Sequence, residues 1–146
     1  MPPNTTPTSQ NEAHPGQRLG LPASGRGSLA TWRGKVTALI VDWAASMAIA
    51  TGFFGSGVLT GDGWRAWMIM AVFFVESTVL TALASGSLGQ LLTRIAVVRL
   101  DARPLGFLRA AVRAALVCTV IPAVVVGADR RGLHDLAVNT VVIHRR

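Results

Sequence analysis

Apolar residues gather into three long runs separated by short, polar, glycine-rich gaps. The first, VTALIVDWAASMAIATGFFGS, covers about 36–56, and the second runs from Arg65 to Ser85 around WMIMAVFFVESTVLTALAS. Each holds roughly 21 residues, which as a helix extend about 30 Å, the thickness of a bilayer's hydrocarbon core. A third run, LGFLRAAVRAALVCTVIPAVVVGA at about 105–128, is also long enough to cross, with Pro122 kinking it or ending its regular hydrogen bonding. The pattern predicts an all-α membrane protein, a small bundle of about three transmembrane helices.

The gaps read differently from one another. Residues 1–32 are rich in Pro, Gly, Ser, Thr and Asn without apolar periodicity, the signature of a disordered polar tail ahead of a transmembrane domain at 33–146. The first apolar run begins too far from the initiator for a cleaved secretory signal. Between the first two runs lies GVLTGDGWRA, a turn-rich connection, with Trp64 and Trp67 suited to the headgroup region. GSLGQLLTRIAVVRLDARP, residues 86–104, is interrupted by Arg94, Arg99 and Arg103 too often to span, and predicts a short amphipathic or extended segment at the membrane surface. A short apolar stretch, VNTVVI, lies near the end.

Composition agrees. Hydrophobic residues make up 51% of the chain and charged residues 14%, well under the roughly 25% of a soluble domain. The net charge of +7 comes from 14 basic residues, of which Lys35 is the one lysine. The arginines flank apolar runs instead of forming a stripe, which argues against nucleic acid and for the positive-inside rule and anionic lipid. A single cysteine, Cys118, excludes an internal disulfide and a cysteine-built metal site. His134 and Asp135 lack a nucleophile in any recognisable motif, and the glycines of TGFFGSG and SGSLG do not form a phosphate loop, so neither an enzyme nor a cofactor is expected.

Arg18, Arg26, Arg33 and Lys35 precede the first run and Arg94, Arg99 and Arg103 precede the third, which places the amino terminus in the cytoplasm of a plasma-membrane protein. Three full spans would then put Arg130, Arg131, Arg145 and Arg146 outside. That is the favoured reading, and the alternative is a third run that folds back around Pro122.

Four charged residues fall inside the runs. Asp42 lies about 10 Å below the edge of the first helix. Arg109 and Arg113, four apart on one helical face, enter from the same side, so an ion pair from Asp42 to Arg113 or Arg109 is the economical expectation. Lys35 sits two turns before Asp42 and can snorkel. Glu76 falls near the midplane without an arginine at matching depth, the acid best placed to bind or relay a cation. The competing reading is that Asp42, Glu76, Arg109 and Arg113 form a charge network that only holds helices together.

Three segments resemble the RDD family of small multi-pass membrane proteins. KVTALIVD is similar to the family's opening basic residue, alanine and aspartate, at Lys35, Ala38 and Asp42. GSLGQLLTRIAVVRLDARP resembles its Gly-rich entry, strand-like segment and Asp-containing turn. Arg109 and Arg113 followed by DRRGLHDLAVNTVVI are similar to its closing pattern, with Asp135 as the second signature aspartate. Lys35 stands where the signature has arginine, and Gln90 where the family usually has lysine. The resemblance covers roughly residues 33–144. It implies a membrane protein associated with transport, including sodium/proton exchange for some members. A cation- or proton-linked transport role is therefore the leading expectation, and a non-catalytic membrane scaffold or assembly partner the alternative. The expected partners are the lipid bilayer and either further copies of the chain or a larger membrane protein, since three spans make a thin transporter alone.

Overall fold

The computed structural model describes residues 14–119, 127 and 130–145. Helix α1 spans Trp32–Phe54, opened by Thr31, whose side chain accepts a hydrogen bond from the Gly34 amide. A short helix α2, Gly57–Thr60, and a 3-10 turn, Gly63–Trp67, lead into α3, Met68–Ala84. Then follow α4, Leu88–Leu92; strand β1, Ile95–Arg99; α5, Phe107–Cys118; α6, Leu133–Ala137; and strand β2, Thr140–His144.

Among the described residues, two helical stretches are long and apolar enough to cross a membrane, Trp32–Phe54 and Gly63–Ala84. They match the first two expected runs to within a few residues. The same test would admit the core helix of a soluble protein, but only 22% and 17% of the positions in their most apolar windows are buried. What they bury points the same way. The inward stripe of α1 is Ala38, Asp42, Ser46 and Ala50, and that of α3 is Phe73, Ser77 and Thr81, each stepping four residues along one face. Ile40, Phe53, Val75 and Leu83 face outward, Phe53 at 83% exposure. Small and polar residues inside with large apolar residues outside suits lipid as the solvent, where close backbone approach and hydrogen bonds replace the hydrophobic drive. Trp43 of α1 stacks on Phe73 of α3 at 5.4 Å between ring centroids.

Helix α5 shows the same inversion, burying Ala110, Arg113 and Ala114 while Phe107, Leu108 and Val112 are exposed. Its described length is 12 residues. Residues 120–126 and 128 of the third run, Pro122 among them, lie outside the described residues, as do residues 1–13 of the expected tail.

The all-helical expectation needs one correction. β1 and β2 form an antiparallel ladder from Ile95↔His144 to Arg99↔Thr140. Ile95, Val97 and Val142 join Ala30, Ala38, Leu105 and Ala110 in the core. β-branched residues fill this pleated, enclosed surface well, and the ladder satisfies backbone groups that a surface loop would have left to water. Residues assigned by sequence to the tail also belong here: Ala30 N donates to Val142 O at 2.9 Å, His144 N to Ser28 O at 2.9 Å, and Leu29 bridges Ile143.

The sheet overturns the external tail. Through residues 27–30, β2 is tied to the start of α1. Val97 N donates to Ser85 O at the end of α3, and Lys35 Nζ to Arg130 O at 2.7 Å. Arg130 therefore stands beside the start of α1. All three basic segments gather at one end of the two long helices, so positive-inside counting no longer conflicts with itself. In a Cys118→Ala background, cysteines placed at Ser24, Arg103 and Arg130 should react with a membrane-impermeant maleimide from one face of sealed vesicles. A cysteine at Asp62 should react from the other; labelling of positions 24 and 130 from opposite faces would refute the arrangement.

Candidate functional site

Three residues separate the end of α3 from the start of α4, in a turn where Ser85 takes the left-handed conformation, φ 59°. A helix start exposes amide groups with no partner of their own, and beside apolar helices each one must find an acceptor. Here side chains from three elements supply them. Glu76 Oε1, from α3, accepts from Leu88 N at 2.7 Å. Asp42 Oδ1, from α1, accepts from Gly89 N at 2.5 Å, and its Oδ2 accepts from Ser87 Oγ at 2.6 Å. Ser87 and Gln90 close a reciprocal capping box, with Ser87 N donating to Gln90 Oε1 at 3.1 Å.

Gly89 makes this geometry possible. Its backbone lies against α1 so closely that a β-carbon would run into the Ala38 carbonyl and crowd the Asp42 carboxyl. Ala38 itself is buried. The opening pattern Lys35, Ala38 and Asp42 is therefore partly a docking face for α4.

A second network lies beside the first. Arg113 Nε donates to Asp135 Oδ1 at 3.0 Å, with both side chains at 5% exposure or less. His134 Nε2 stands 3.5 Å from the same oxygen. Thr140 Oγ1 donates to the Asp135 carbonyl at 3.3 Å, and Arg131 Nε to Thr140 O at 3.0 Å. Burial alone would push the Asp135 carboxyl up. The charges of Arg113, His134 and Lys35, with the Arg113 hydrogen bond, outweigh it and hold Asp135 below the usual carboxylate range.

The expected Asp42–arginine pair is thus replaced. Asp42 takes the α4 amide and the Ser87 hydroxyl, Arg113 takes Asp135, and Arg109 donates to the Val138 carbonyl at 3.1 Å. Depth along the helices pairs Asp42 with the arginines, but α4 and α6 carry closer partners, which helical rise alone does not reveal. Glu76 is likewise used at the α4 start. Lys35, Asp42, Arg113, His134 and Asp135 nevertheless converge, since all five line one cavity of about 80 Å³ between α1, α3, α5 and α6. That is room for a few water molecules. Asp135 Oδ2 has no hydrogen-bond partner among the described residues. Ser87, Gly89 and Arg131 are the residues that sequence reasoning missed; the S-x-x-Q spacing of Ser87 to Gln90 was the available signal for the first two.

Two helices of membrane-crossing length with polar inner stripes, and a short helix capped by their buried carboxylates, suit a helical membrane protein. The chain belongs to the RDD family, whose sequence profile matches residues 30–139. Comparison with curated proteins and with solved structures gives no match. Lys35 and Asp42 of α1 border the same cavity as Asp135 of α6.

Asp42→Ala leaves the Gly89 amide and Ser87 hydroxyl without an acceptor and should cost on the order of 2–5 kcal/mol of unfolding stability in detergent, with Asp42→Asn costing less because one acceptor remains. Gly89→Ala should be at least as damaging as typical overpacking, about 1–3 kcal/mol, since the obstacle is backbone. Asp135 predicts a pH dependence. Its folded-state affinity for protons is depressed, so its contribution is complete above the unfolded carboxylate value of about 3.9 and is lost as pH falls through the lower folded value. The stability gap between wild type and Asp135→Asn should be flat near neutrality and shrink below about pH 4. A gap that widens on acidification would contradict the assignment.

Proposed function

We propose that this RDD-family protein is a non-enzymatic, transport-associated component of the plasma membrane, with its basic end in the cytoplasm, acting on a small cation or on protons linked to one. The observation that carries this reading is the water-sized cavity in which Lys35, His134, Asp135 and Arg113 meet beside Asp42. Titratable groups of both signs, packed around space for water and flanked by membrane-length helices, can exchange a proton or ion that lipid would exclude. Asp135, which lines that space, keeps one buried carboxylate oxygen, Oδ2, without a hydrogen-bond partner among the described residues. Two spanning helices and a 12-residue third enclose little volume, so the reading includes a homo-oligomer or a larger membrane partner to complete a path.

The alternative, a membrane scaffold or assembly partner, draws on a different observation. Asp42 and Glu76 already serve as acceptors for α4, which explains two of the membrane charges without any transport.

Everted vesicles carrying verified, matched amounts of protein separate the two. Under the transport reading, cation-driven proton movement exceeds the empty-vector control and falls to it in Lys35→Gln and His134→Gln. It persists in Glu76→Gln, whose side-chain oxygen can still accept from Leu88. Absence of flux from well-inserted wild type would favour the scaffold.

A further inference from the structure

Three arginines from distant parts of the chain share one pocket away from the signature cavity. Arg26, Arg94 and Arg145, with Leu91, line an open cavity of about 390 Å³. The sheet brings them together. Ile95 pairs with His144, so Arg94 and Arg145 extend the ladder by one step, joined by Arg145 N to Arg94 O at 2.8 Å. Gly27 N donates to His144 O at 2.8 Å, which sets Arg26 alongside. All three side chains are exposed.

Among the described residues no carboxylate lines the pocket, and Asp42, Glu76, Asp101 and Asp135 are engaged elsewhere. Neither the Arg26 nor the Arg94 side chain is hydrogen-bonded to another described residue, whereas Arg145 donates to Ala84 O at 2.7 Å. Guanidinium forks converging on one space match a phosphate oxygen set. Holding three like charges together without an anion is unfavourable.

The pocket's level selects the source of that phosphate. Ala84 is the last residue of the second membrane-length helix, so Arg145 is anchored where hydrocarbon gives way to headgroups. Leu83, in the last turn of α3, and Leu92, at the end of α4, are 70% and 66% exposed, apolar surface of the kind acyl chains cover. We propose that Arg26, Arg94 and Arg145 form a binding site for the phosphate of an anionic phospholipid, one lipid seated at the junction of α3, α4 and the sheet edge.

The test uses the full chain in detergent, titrated with phosphatidylglycerol, phosphatidylcholine or inorganic phosphate and read by retained lipid in native mass spectrometry and by thermal unfolding. Wild type should retain phosphatidylglycerol in preference to phosphatidylcholine and be stabilised by it. Inorganic phosphate at the same concentration should neither stabilise the protein nor displace the lipid. Arg26→Gln with Arg94→Gln removes two guanidiniums that make no hydrogen bond to another described residue, and should weaken phosphatidylglycerol binding on the order of twenty-five-fold, about fivefold for each. The charge-matched pair Arg33→Gln with Arg103→Gln, outside the pocket, should change it less than about twofold. Equal loss in both pairs would overturn the site in favour of diffuse surface charge, and unchanged binding in the pocket pair would overturn it outright. Full stabilisation by inorganic phosphate would overturn the lipid assignment.

Discussion

The start of α4 is where the architecture is decided. A backbone that breaks from one helix and begins another between apolar helices exposes amide groups, and each unpaired one is costly away from water. Asp42 from α1 and Glu76 from α3 accept from consecutive amides, Gly89 and Leu88. Because the two acids come from different helices, the cap also fixes α1, α3 and α4 relative to one another. Gly89 permits the close approach and Ser87 occupies the second oxygen of Asp42. The position of β1, three residues after α4, follows from that anchor, and the ladder to β2 then determines where the carboxyl-terminal segment returns.

The same logic explains why charge and apolarity exchange their usual places. In a soluble protein Arg113 would face water and Leu108 the core. Here Arg113 is buried against Asp135 and Leu108 is 79% exposed. The two buried networks are adjacent, one built on backbone amides and the other on guanidinium and imidazole, and the signature cavity is the space left between them. Lys35 takes part through its contact with the Arg130 carbonyl, which a single ammonium can make without the bidentate fork of an arginine.

Much of this was legible in the sequence. Length and apolarity give α1 and α3 to within a few residues, IAVVRL reads as extended or interfacial, and three segments, around Lys35 to Asp42, Gly86 to Pro104 and Arg109 to Asp135, point to the family. What stayed hidden depended on long-range pairing. That VNTVVI is the partner of IAVVRL is a register fact, invisible in either segment alone, and without it the tail charges seemed to belong outside. Asp42 was matched to arginines by depth because depth is what helical rise supplies, whereas its true partner is a backbone amide carrying no residue-type signal. The glycine and serine beside that amide are visible, as SLGQ, but nothing in the segment names the helix they pack against.

The most direct measurement is hydrogen exchange at the amides of Leu88 and Gly89 in the full chain in lipid nanodiscs, compared between wild type and Asp42→Ala. With the carboxylates as acceptors, both amides exchange slowly in wild type, and the substitution speeds Gly89 by at least about tenfold, the loss of roughly 1.4 kcal/mol or more of protection, while the β1–β2 ladder stays protected. Wild-type Gly89 exchanging as fast as the loop at Asp62, or unchanged by the substitution, would contradict the carboxylate cap on which this fold is argued to rest.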